Sequence, residues 1–143
     1  MIQLRLSWWR DRLSEPAGAW PKGEPVLAAL GAWTAETGAL CGLVDGWEAR
    51  IVGEDGGAEL ARAEIEAYVA LARIGGVQNL DLIRSEATAL AHPSSAAPPI
   101  SRLPKAMRPL SIFRVLAMRE QQTKATSPLS DFAAIVRVGL FGR

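Results

Sequence analysis

The sequence predicts an all-α protein, and three observations carry that prediction. Apolar residues recur at spacings of three and four along most of the chain, the period of a helix that buries one face. No stretch alternates apolar and polar residues over a useful length, which removes the half-buried strand. Clusters of proline and glycine punctuate the periodic stretches.

The opening helix, LRLSWWRDRL at 4–13, stacks Ile2, Leu6, Trp9 and Leu13 on one face and places Arg5 and Arg12 on another. Trp8 widens the apolar stripe. Such indoles either anchor a core that later segments complete or line an apolar substrate tunnel. The helix is expected to end near Ser14 and Glu15, before Pro16. Pro25 suits the first position of a second helix, where a missing N–H costs nothing. Val26, Leu30 and Trp33 form its expected face, and Gly38 its expected end. A third helix carries Leu40, Leu43, Val44, Trp47 and Ile51 at core spacing, with Trp9, Leu43, Val44 and Trp47 expected in one core. Gly46 inside it costs about 1 kcal/mol relative to alanine, so a close helix–helix approach is the expected compensation.

Residues 53–57 break the chain, and a fourth helix over 58–73 turns Ala61, Ile65, Tyr68, Val69 and Ala72 inward. On its outer face Arg62 and Glu66 stand at pairing distance along the helix. A fifth, over 77–91, buries Leu80, Ile83, Ala87 and Leu90, and residues 92–99 form a Pro/Ser-rich linker. Between 104 and 122 another helix presents Phe113, Leu116 and Ala117, with Pro109 either starting or kinking it. The last begins after Ser127 and Pro128 and groups Phe132, Ile135, Val136 and Leu140.

At 143 residues the chain reads as one domain, 1–143, long enough for a core. No apolar run approaches the roughly 20 residues that cross a bilayer, and no secretory signal pattern opens the chain. Cys41 is the single cysteine, which excludes an intrachain disulfide framework and a cysteine-rich zinc site, and makes the cytoplasm the expected location. Charge is unevenly spread. Residues 1–91 hold 8 Lys/Arg against 13 Asp/Glu, a net of −5, while residues 92–143 hold 8 against 2, a net of +6. Either the two halves dock on each other, or the basic half meets an anionic membrane surface or a diphosphate. No nucleic acid is expected as partner, because no reading motif accompanies the charge.

Three blocks in order carry a family resemblance: RLSWWRDRL at 5–13, EPVLAAL at 24–30 and LVDGWE at 43–48. Together they resemble the squalene/phytoene synthase family, best over 4–51. LPKAMRPLSIFRVLA gives a weaker match, over 103–143. The resemblance implies a helical bundle like part of the all-α prenyl synthase fold. It also implies a link to isoprenoid biosynthesis, in which family members condense prenyl diphosphates on magnesium held by paired aspartate clusters. Magnesium wants oxygen ligands in octahedral geometry, commonly one or two carboxylates with substrate phosphates.

That pairing is missing from the sequence. The five aspartates, Asp11, Asp45, Asp55, Asp81 and Asp131, include no two at i, i+3 or i+4. The family's first cluster lies upstream of the WWRD-like helix; the abrupt start in a helix at Met1 leaves room for such a segment. Its second follows a string to which QNLDLIRSE at 78–86 is faintly similar, with Ser85 where the aspartate would stand. Asp45 and Glu48 share a helix face, but Arg50 nearby can neutralise them. Asp11 and Glu15 read as a solvated helix end. His92, the single histidine, sits in the linker without a partner for zinc or for a catalytic triad. Cys41 reads as a small buried apolar residue.

The expectation is a shortened, degenerate family member and pseudoenzyme, with no catalytic, cofactor-binding or metal-ligating residue and no magnesium. The alternative is a helical assembly or binding protein with a protein partner, as in the respiratory complex I assembly factor that resembles the same family. Arg102, Lys105 and Arg108 are the candidate contacts to an anionic lipid or a diphosphate, with peripheral membrane association the corresponding expectation.

Overall fold

A computed structural model describes residues 2–53, 55–93, 101–121 and 127–141. Among them every regular element is helical, with no strand. The α-helices are α1 (Ile2–Ser14), α2 (Pro25–Leu30), α3 (Thr37–Val52), α4 (Ala58–Ile74), α5 (Leu80–Ala91), α6 (Arg108–Glu120) and α7 (Pro128–Phe141). Most of the expected linker lies outside the described residues.

The helix ends follow from local chemistry. Beyond α1, extended Pro16 breaks the run, and the Trp20 indole N–H donates to the Arg12 carbonyl at 2.6 Å, folding the loop back over the helix end. Gly53 stops α3 in the left-handed conformation, φ +79°, which glycine adopts without Cβ strain. The Asp55 carboxylate accepts from the backbone N–H groups of Gly57 and Glu59 and so covers orphan donors at the start of α4. Those bonds hold its pKa below the usual carboxylate range. Asn79 caps α5 by accepting from Leu82 N–H at 3.0 Å. Prolines stand in the first turns of α2 and α6, and Pro128 opens α7.

Neighbours in space largely follow neighbours in sequence: α1 on α3, α3 on α4, α4 on α5, α5 on α6 and α6 on α7. Two apolar centres result. Leu13, Leu40 and Val44 form the first, backed by Trp9, Trp20, Trp33, Cys41 and Leu43. Val69, Ala72, Ile83, Ala87, Leu103, Met107 and Leu110 form the second. Between them runs the α3–α4 seam. A Cβ on Gly46 would stand 2.7 Å from the Leu60 Cα, so the glycine is there for the close approach its position predicted.

Several expected faces are rotated. Trp47 is 48% exposed, and Leu43 is only half-buried. With Gly46 committed to α4, the next residue is carried off that seam, and the Arg50 guanidinium lies 6.0 Å from the Trp47 ring. Leu27 rather than Val26 is buried in α2. The helix tightens into a 3-10 turn at Gly31–Trp33, so Leu27, Leu30 and Trp33 align at its three-residue period. Gly38 is inside α3 and ends nothing. Of the opening stripe, Ile2 is exposed and Leu13 is buried. In α6 the enclosed residues are Leu110, Ser111 and Arg114, not Phe113, Leu116 and Ala117. In α7 they are Ala134 and Val138, opposite the expected group.

Candidate functional site

Helices α4 and α6 face each other across a cleft of about 640 Å³. From α4 it takes Glu64, Ala67, Tyr68 and Leu71; from α6, Phe113, Leu116, Ala117 and Glu120. Each set follows the i, i+3/i+4, i+7 rule that places side chains on one helical face. Trp33 and Leu43 close one side, and Leu90, Ala91 and Pro93 from the end of α5 close another. The surface is mostly carbon, and its polar side-chain groups are the carboxylates of Glu64 and Glu120, the Tyr68 phenol and the Trp33 indole N–H. Burial, with a smaller contribution from the Glu64 charge, pushes the Tyr68 pKa up, so the phenol stays protonated at neutral pH.

The cleft exists because α6 turns another face to the protein. Arg114 is 1% exposed, and its Nε donates to Glu86 Oε2 of α5 at 3.1 Å. The second carboxylate oxygen, Oε1, accepts from the backbone N–H of Ser101 at 3.0 Å. One buried carboxylate thus fastens α6 and the strand of chain entering it to α5. The pairing sets the rotation of α6, and its stripe of Phe113, Leu116 and Ala117 is left facing the cleft. Neither Glu86 nor Arg114 stood out in the sequence. The available signal was a charged residue at each of two core-facing positions, flanked by apolar neighbours such as Ile83, Ala87 and Leu110.

The candidate anion contacts are brought near one another only in part. Arg102 and Lys105 are exposed. Arg108 is half-buried and donates from Nη1 to the carbonyl oxygens of Gly139 at 2.7 Å and Leu140 at 2.9 Å. A cation on the last carbonyls of α7 complements that end of the helix dipole.

The other charged residues weighed from the sequence are engaged elsewhere. Arg10 of α1 bridges Asp45 and Glu48, donating from Nε to Asp45 at 2.9 Å and from Nη2 to Glu48. These bonds, Glu48 first, push its pKa still higher. Arg10, not Arg50, is therefore the neutralising partner. Glu66 pairs with Arg84 of α5, which lowers its pKa, while Arg62 lies 3.6 Å from Glu59. Asp11 and His92 are exposed. Cys41 is half-buried, and burial raises its thiol pKa.

Three of the five aspartates are engaged by other groups of the fold. Asp45 is held by Arg10, Asp55 by backbone N–H groups and Asp131 by Arg119. Among the described residues no three His, Cys, Asp or Glu side chains gather where they could hold a metal ion. No protein-family model, curated protein or solved structure matches this chain.

Proposed function

We propose that this chain is a squalene/phytoene synthase-like binding protein that holds an elongated apolar molecule of the prenyl class and does not condense it. The cleft between α4 and α6 carries this reading: about 640 Å³ falls within the range of small-molecule sites, and a mostly carbon lining suits a hydrocarbon chain. Engagement of Asp45, Asp55 and Asp131 elsewhere in the fold supports binding without magnesium-dependent transfer. A cytoplasmic location, from the single cysteine, belongs to the same proposal.

Trp33 lines the cleft, so tryptophan fluorescence reports on occupancy. Farnesol and farnesyl diphosphate are expected to change it at similar concentrations with or without magnesium, and no hydrocarbon product should form. Leu116→Trp, at a half-buried lining position, should fill the cleft and abolish the response while leaving the circular dichroism spectrum unchanged. A magnesium-dependent squalene- or phytoene-type product would overturn the reading, as would no response to either ligand.

A further inference from the structure

Helix α7 is apolar on nearly every side but covered on one. Ala134 and Val138 are buried on the side toward α6, where Gly139 approaches Ile112. On the opposite side Leu129, Phe132, Val136 and Leu140, spaced by three, four and four, lie open at 80%, 65%, 40% and 64% exposure. A helix apolar all round is ordinarily enclosed, and a contiguous exposed stripe of large apolar side chains marks an interaction surface.

We propose that this face of α7 docks on an anionic lipid surface, lying in the plane of the interface with Leu129, Phe132, Val136 and Leu140 in the acyl boundary. Charge selects this occupant. Of the described cations of this region Arg114 is buried against Glu86, Arg119 is paired with Asp131 and Arg108 is seated on α7 carbonyls, which leaves Arg102, Lys105 and Arg137 exposed against exposed Glu120. This net positive exposed charge would be opposed by a second copy and is complemented by an anionic surface. The fold also places the charge at the right end. By donating to the Gly139 and Leu140 carbonyls, Arg108 holds the turn Lys105–Met107 beside the C-terminal end of the stripe. Exposed Lys105 and Arg102 stand on that approach, and exposed Arg137 flanks the stripe, where its stem can lie along acyl chains with its head in the headgroups. Asp131, the single acidic residue of α7, is on the covered side and accepts from Arg119 at 2.8 Å. The helix lies on the surface rather than crossing it: at 14 residues it falls short of the roughly 20 a span requires, and no helix among the described residues is long and apolar enough to cross.

Co-sedimentation of the full chain with phosphatidylcholine vesicles, with and without phosphatidylserine, tests the proposal. Binding should require phosphatidylserine and weaken as salt rises. Phe132→Asp should lower it tenfold or more, and Lys105→Gln about fivefold. Both positions are exposed, so an unchanged circular dichroism spectrum will show that the fold persists. Equal sedimentation with both vesicle types, or none with either, overturns the proposal. So does a dimer that Phe132→Asp dissociates in the absence of any vesicle binding, because a second copy would then be what covers α7.

Discussion

Between α3 and α4 the helices meet where a side chain has been removed: Gly46 lets the Leu60 backbone come within 2.7 Å of where a Cβ would stand. Between α5 and α6 a charged pair is enclosed instead, with Glu86 and Arg114 at 3% and 1% exposure. The first seam is governed by steric fit. At the second, geometry is fixed by hydrogen-bond direction, which an apolar contact of the same area would leave free to rotate. The difference accounts for the cleft. A steric seam closes its helices together, while the ion pair holds α6 to α5 and leaves its apolar stripe facing α4 across open space.

The largest expected effect comes from breaking the charged seam. Arg114→Ala leaves the Glu86 carboxylate buried without its cation and should cost about 3–5 kcal/mol by chemical denaturation. Replacing both partners with apolar residues, Arg114→Met with Glu86→Leu, should recover most of that stability. The double variant should still lose cleft binding, because nothing then sets the rotation of α6. At the steric seam, Gly46→Val places a branched side chain against the α4 backbone and should cost about 1–3 kcal/mol, with Gly46→Ala milder.

Surface pairs should matter less. Arg10→Ala releases two part-exposed carboxylates, Asp45 and Glu48, and should cost about 1 kcal/mol. The smallest effect is expected at Glu66, whose side chain is 45% exposed. Arg84 lowers its pKa in the folded state, so its contribution is present above the unfolded carboxylate range, near about 4.3, and is lost as pH falls through the folded value. Glu66→Gln should therefore flatten the acid limb of the stability profile slightly, by less than about 1 kcal/mol after solvent screening.

Helix existence and most helix ends were legible because they are local, although Gly38, expected to end the second helix, lies inside α3. Pro16, Pro25 and Gly53 act through their own backbone, and Gly46 announced a close contact by its cost. Helix rotation was much less legible, because it depends on partners distant in sequence. Trp47 followed the apolar period yet lies in solvent, since Gly46 set the phase of α3. Arg114 was not singled out in the sequence, because the carboxylate that pairs with it in the interior lies 28 residues earlier. Phe113, Leu116 and Ala117 were correctly grouped on one face, but that face lines a cleft instead of a core. In α7 Phe132, Val136 and Leu140 share a face as expected, but Ile135 lies off it, and Ala134 and Val138 behind them do the packing.

The most direct test is to follow leucine and valine methyl resonances while farnesol is titrated. Binding in the cleft predicts that Leu43, Leu71, Leu90 and Leu116 shift together and saturate, while Leu27 and Val138, buried and outside the cleft lining, stay in place. Shifts confined to Leu129, Val136 and Leu140 on α7, or none at the four cleft leucines, would contradict the account.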